Sequence, residues 1–249
     1  LRMMGNYDEA MPYLRTALEV GKPLLPKNDL ASIWLDIAFL EEHRSKDEAI
    51  SAAKEVLELT KGTTAEHLQA RAIIVEHTEQ GEARTQHLKD IQQQARAHKY
   101  KVLDSNISLE LARMTNDTSI AMEHVADVLS NNEENYNNIR AIVKKAQLLE
   151  KQGVALSGKD LVRLAKGYAY LHSQRFGALF ENCHEVLWNA VELKGDYPQL
   201  LRLFRHTSFL WRIRGEEVKE QKYLKRLSRT KVKEAETSGP RGLLIEIKY

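Results

Sequence analysis

Asp47-Glu48-Ala49-Ile50-Ser51-Ala52-Ala53-Lys54-Glu55-Val56-Leu57 decides the fold, because the chain repeats its pattern at Ser119-Ile120-Ala121-Met122-Glu123-His124-Val125-Ala126-Asp127-Val128-Leu129. In both stretches small and aliphatic residues recur at helical spacing, and charges fill the other face. Asp8-Glu9-Ala10, with Ala17-Leu18, fits the same frame. So does Glu82-Ala83, with Ile91 at the leucine position. The anchor alanines Ala10, Ala49, Ala83 and Ala121 are spaced 39, 34 and 38 residues apart. That period holds one pair of helices and two short turns. A small residue at the anchor lets two helices approach closely. The aliphatic pair after it fills the gap to the next helix pair.

Helical periodicity extends over the rest of the chain. Leu30, Ile33, Trp34, Ile37 and Ala38 form an apolar stripe, as do Leu161, Leu164, Ala165 and Tyr168. The pattern predicts twelve helices, over residues 7–20, 29–44, 47–60, 64–79, 82–98, 101–114, 118–131, 136–152, 160–174, 176–194, 198–214 and 216–235. Gly62, Gly81, Gly153, Gly195 and Gly215 mark turns that need a left-handed backbone. Thr63-Thr64-Ala65-Glu66 reads as a capping box, and Asn28-Asp29 and Asp117-Thr118 as N-caps. Pro12, inside the first helix, removes a backbone donor and should kink it.

Composition limits the function classes. The 249 residues include 12 Gly and 5 Pro, too few for a collagen-like or low-complexity chain. One cysteine, Cys183, excludes a disulfide framework and a paired-cysteine metal site. Its place equivalent to Ala53 predicts a buried structural thiol. No apolar run is long enough to span a membrane. No signal-peptide pattern is present, so a reducing, cytoplasmic compartment is expected.

Gly5-Asn6-Tyr7-Asp8-Glu9-Ala10, followed by Tyr13-Leu14, Ala17-Leu18 and Pro23, resembles the second helix of a tetratricopeptide repeat. Residues 45–60 fit that pattern with Ser45-Lys46 in place of the glycine and aromatic. Beyond residue 136 only the rhythm of paired helices remains. The resemblance implies an all-α fold: a right-handed α-solenoid of about six stacked antiparallel helical hairpins over residues 1–235. It implies repeat-packing roles for Gly5, Tyr7, Ala10, Ala17, Ala49, Ala53, Ala83 and Ala121. It also implies that residues 1–20 lack their partner helix, so that an upstream segment is expected. Residues 236–249 follow a Gly/Pro break and read as a strand-like tail, with Ile245, Ile247 and Tyr249 on one side. That tail could fold back, pair with another chain or stay loose.

Motifs that carry chemistry are absent. There is no GxGxxG, GxxxxGK[ST], GxSxG or HExxH sequence. Ser157-Gly158-Lys159-Asp160 lacks the glycine-rich turn of a phosphate loop and reads as a helix cap. His67, His77, His87 and His98 recur about every ten residues, a rotation of roughly 1000° that leaves them out of register on one helix. No nucleophile, base or metal set converges, so no catalytic, cofactor or metal site is expected.

Charge is graded along the chain. Residues 1–130 carry 15 basic and 21 acidic side chains, residues 131–197 carry 9 and 8, and residues 198–249 carry 13 and 6. Arg202, Arg205, Arg212, Arg214, Lys222 and Arg226 crowd the last hairpin and are the candidate partner-binding residues. Three readings of that end stand open: a solvated cap that any repeat array needs, a seat for an acidic peptide or protein, and a nucleic-acid site over 198–233 with Phe204, Phe209, Trp211 and Tyr223 as stacking surfaces. Lys222 and Arg226 have the i, i+4 spacing of part of the carboxylate clamp of some tetratricopeptide modules, but the asparagines that would complete it are not evident. The expected function is therefore a non-catalytic scaffold that binds a peptide or protein on its concave face, as the sensor or regulatory region of a larger protein.

Overall fold

The computed structural model describes residues 7–42, 44–130, 136–174, 178–193, 211–212, 215 and 217–238. Every regular element among them is a helix. In chain order these are α1 (Tyr7–Gly21), α2 (Lys27–Glu41), α3 (Lys46–Leu59), α4 (Ala65–Thr78), α5 (Gly81–Ala97), α6 (Lys101–Met114), α7 (Thr118–Ser130), α8 (Tyr136–Lys151), α9 (Gly158–Gln174), α10 (Ala178–Leu193) and α11 (Glu217–Ser238). The fold is all-α and repeat-like. The helix expected over 198–214 lies almost wholly outside the described residues, as does the tail from 239 onward. Gly5 and the side chain of Tyr7 are also outside them.

Local chemistry sets most of the boundaries. The Ser45 hydroxyl accepts from the Glu48 amide at 3.4 Å to open α3. Asp117 Oδ1 accepts from the amides of Ser119 at 2.8 Å and Ile120 at 3.3 Å to open α7. Two expected caps move. Thr64, not Thr63, caps α4, accepting from the His67 amide at 3.2 Å, so Glu66 falls one place short of a capping box. The helix α2 opens at Pro26 with no side-chain cap, ahead of Asn28-Asp29. Pro there loses no bond, since the first helical amides have no partner within the helix. The helix α1 contains Pro12 and runs to Gly21. The helix α11 extends to Ser238, three residues past its expected end at 235. Gly62 and Gly153 take φ of +77° and +68°, where a side chain would be strained.

Helices pack on their sequence neighbours and also on the next but one. The helices α2 and α4 touch, as do α4 and α6, α6 and α8, and α8 and α10. The apolar interior is a succession of adjoining clusters. Leu30, Leu35, Leu40 and Val56 belong to the first, Leu68, Leu88, Ile91 and Ile107 to the second, and Ile142, Leu164, Phe180 and Trp211 to the third.

Burial tests the alanine frame directly. Ala10, Ala49, Ala53 and Ala121 are buried. Ala17 and Ala83 are exposed, contrary to their expected packing role. In α5 the buried set is Leu88, Ile91, Gln92 and Ala95, which repeats the spacing of Ala49, Ala52, Ala53 and Val56 in α3. The register of α5 is therefore displaced from the anchor at Ala83, and Leu88 occupies the anchor place. The reason lies in composition: α5 is polar at its start, and its first large aliphatic residue is Leu88.

Candidate functional site

The even-numbered helices are joined by polar bonds. His77 Nε2 in α4 donates to Oε1 of Glu42, just beyond α2, at 3.2 Å. Arg140 Nη1 in α8 donates to Asn106 Oδ1 in α6 at 3.1 Å. Asn137 Nδ2 donates to the Val102 carbonyl at 3.3 Å across the same two helices. Asn189 Nδ2 in α10 donates to Glu150 Oε1 in α8 at 2.7 Å. The partners lie 35, 34, 35 and 39 residues apart in sequence. Each bond thus spans about one period of the sequence pattern.

Between α4 and α6 the link is electrostatic. Glu76 of α4 is largely buried near Glu110 of α6 and Glu42, with Arg84 and Arg113 also close. Burial first, then the neighbouring Glu110 and Glu42 carboxylates, push its carboxyl up to about 8, outweighing the two arginines. Glu76 is therefore largely protonated at neutral pH. Glu110 is the hydrogen-bonded centre of this group. It accepts from Arg84 Nη2 at 2.5 Å and from Arg113 Nε at 2.8 Å. Next along, Lys144 of α8 is held below the usual lysine range by burial, with Lys151 and Arg113 adding repulsion. The row passes from Glu42 and the largely protonated Glu76 to the basic Arg113, Lys144 and Arg140.

At the C-terminal end, α10 and α11 are fastened by carboxylates. Glu185 accepts from Arg226 Nη1 at 2.6 Å, Lys222 Nζ at 3.2 Å and Tyr223 Oη at 3.2 Å. Lys219 Nζ donates to Glu181 at 2.6 Å. Arg212 Nε donates to Glu220 at 2.6 Å. Of the six expected partner-binding residues, Lys222 and Arg226 thus share one carboxylate and Arg212 has another. Arg202, Arg205 and Arg214 lie outside the described residues. Trp211 and Tyr223 are buried in the core, with Lys219 Nζ 4.4 Å from the Trp211 ring centroid. Phe204 and Phe209 lie outside the described residues.

Cys183 and His184 sit in the same core. Burial pushes the Cys183 thiol up to about 12, which keeps it protonated and a poor nucleophile. His184 packs between Tyr223, at a centroid distance of 4.6 Å, and Tyr168, at 5.9 Å. Burial lowers it to about 3, so the ring is neutral at physiological pH. The four histidines of the middle region go separate ways. His67 lies 3.2 Å from Thr60 Oγ1, His77 meets Glu42, His87 meets Glu79 at 2.6 Å, and His98 stacks on Tyr100. Among the described residues no cluster of His, Cys, Asp or Glu could hold a metal ion. No helix among them is long and apolar enough to cross a membrane.

Sequence reading did not single out Arg140, Glu76 or Glu110, and gave Asn106 no pairing role. A signal existed for Asn106 and Arg140, since they stand one period apart. Compared with known proteins, the chain matches no family model, and no curated protein matches it.

Proposed function

We propose that this chain is a non-catalytic interaction module: a right-handed solenoid of stacked helical hairpins, of tetratricopeptide type, that holds a peptide or protein segment along the face formed by its even-numbered helices. The observation that carries this reading is the set of polar bonds between next-but-one helices, whose sequence separations of 34 to 39 residues are close to the 39, 39 and 33 residues between the buried anchors Ala10, Ala49, Leu88 and Ala121. Hairpins stacked at a fixed period cover only their neighbours, so one face stays open along its length. Charged side chains of both signs line that face and suit the backbone and side chains of an extended guest. In this reading the chain is the regulatory repeat region of a larger cytoplasmic protein. The guest's ends and charges select its register, acidic segments toward Arg113, Lys144 and Arg140.

The alternative, nucleic acid gripped by the basic hairpin over 198–233, has weaker support. Arg212, Lys219, Lys222 and Arg226 each meet a carboxylate of this chain. Binding a phosphate backbone would require those pairs to open.

A displayed library of random peptides, selected on the protein, tests the proposal. Photo-crosslinking side chains are placed at Arg113 and Lys144 on the even helices and at Lys54 and Glu123 on α3 and α7. Selected peptides should crosslink from 113 and 144. Crosslinking confined to 54 and 123, or no enrichment after selection, would overturn the proposal.

A further inference from the structure

Arg140 and Lys144 stand one turn apart on α8, within the row of even-numbered helices. Residues at this spacing share one face of a helix. The guanidinium of Arg140 is held from two sides. Its Nη1 donates to Asn106 Oδ1 of α6 at 3.1 Å and to Asn137 Oδ1, one turn back on α8, at 3.4 Å. Asn137 is itself buried, and its Nδ2 donates to the Val102 carbonyl at 3.3 Å. The amide that receives Arg140 is thereby fixed in its turn.

Both acceptors are neutral amides, so the charge of Arg140 is not offset by them. They occupy Nη1 and leave the edge that carries Nε and Nη2, a fork that matches two oxygens of one oxyanion. Among the described residues neither Arg140 nor Lys144 meets a carboxylate. Arg113, by contrast, is committed to Glu110. The charged neighbours of Lys144 are Arg113 and Lys151, which repel it. Two part-buried cations without a counter-charge suit an anion of matching charge. A carboxylate brings one negative charge. A phosphate monoester brings about −1.5 to −2 at neutral pH, with three acceptor oxygens. Two of those oxygens suit the Arg140 fork, and the third suits the Lys144 ammonium.

We propose that Arg140 and Lys144 form a phosphate-monoester site that takes a phosphorylated side chain of the guest, with Asn106 and Asn137 as the positioning residues that aim Arg140. The phosphorylated guest rests on the peptide-binding reading of the even-numbered face and names the chemistry of its basic end.

Two kinds of probe, used on the whole chain, separate the site from the guest. Phenyl phosphate and benzoate, followed by amide-resolved NMR, report the site without any peptide. Peptide libraries randomised around a fixed phosphoserine or a fixed serine report the guest. Phenyl phosphate should give saturable shifts over residues 137–144 and near Asn106, with an affinity about tenfold above that of benzoate. Selected phosphoserine peptides should bind about tenfold more tightly than their serine counterparts. Arg140→Lys keeps the charge but loses the fork, and Lys144→Gln loses the second cation. Asn106→Asp supplies an internal counter-charge to Arg140. Each variant should keep the parental helical circular dichroism and lose most of the phosphoserine advantage. Equal affinity of phosphoserine and serine peptides would overturn the phosphate site and leave peptide binding standing. Failure of both libraries to enrich would overturn peptide binding and, with it, the phosphorylated guest, even where phenyl phosphate saturates. Equal binding of benzoate, equal binding of oligothymidylate, an unaltered advantage in all three variants, or the absence of saturable shifts with phenyl phosphate would each overturn the proposal.

Discussion

Arg140 and Asn106 face each other across neighbouring even-numbered helices, with Nη1 of the arginine 3.1 Å from Oδ1 of the asparagine. They are 34 residues apart in sequence, so the bond registers one helix pair against the next. A part-buried bond with a charged donor contributes on the order of 1 kcal/mol net. Arg140→Ala and Asn106→Ala should each lower stability. A double-mutant cycle in chemical denaturation should give a coupling of about 0.5–1.5 kcal/mol. A coupling near zero would reduce this bond to surface decoration.

The displaced register of α5 makes a paired prediction. Ala53 is fully buried, and Ala83 is exposed. Ala53→Leu should overpack the contact and cost about 1–3 kcal/mol. Ala83→Leu should change stability by no more than about 0.5 kcal/mol. Urea midpoints of the two variants measure the difference. Equal losses would restore Ala83 to the anchor place.

Glu76 predicts an unusual alkaline loss of stability. Its folded value of about 8 stands above its ordinary 4.5, so the folded state binds the extra proton. The stability tied to it is complete below about pH 4.5 and declines as pH rises toward 8. Glu76→Gln keeps the shape of the neutral carboxyl. In thermal melts at pH 6 and pH 9 the variant should gain on the parent at pH 9, by at least about 1 kcal/mol, and match it more closely at pH 6. A pH-independent difference would mean that the Glu76 carboxyl titrates alike in the folded and unfolded chain.

Glu185 predicts the opposite slope. Burial alone would raise its carboxyl, yet the bonds from Arg226 and Lys222 hold it below its ordinary 4.5. The stability it supplies is present above pH 4.5 and is lost as pH falls through the folded value. Glu185→Gln should cost about 1–2 kcal/mol at pH 7, allowing for partial solvent screening. The cost should shrink below pH 4. A constant cost down to pH 3 would assign the loss to packing alone.

How far the sequence reaches can be seen in particular residues. The helices were legible because apolar spacing and caps such as Ser45 and Asp117 are local, and most boundaries fall within three residues of the expected ones. Ala49 and Ala121 were legible because the same spacing recurs around them. Ala83 misled because α5 begins with polar residues, and a frame drawn from the acidic residue before the alanine cannot sense which turn meets its neighbour. The site was harder. Lys222 and Arg226 stood out as a basic pair, but Glu185, which binds both, lies 37 and 41 residues away. Charge counted along a chain does not show which charges meet. Glu76 gave no signal at all, because its shift comes from burial and from carboxylates on other helices.

Small-angle X-ray scattering of the chain tests most directly whether the helices stack into an open array. A compact ball of 249 residues has a radius of gyration of about 18 Å. Hairpins stacked by next-but-one contacts should give a radius several ångströms larger and a distance distribution skewed to long separations. A radius near 18 Å with a symmetric distribution would contradict the open face on which peptide binding rests.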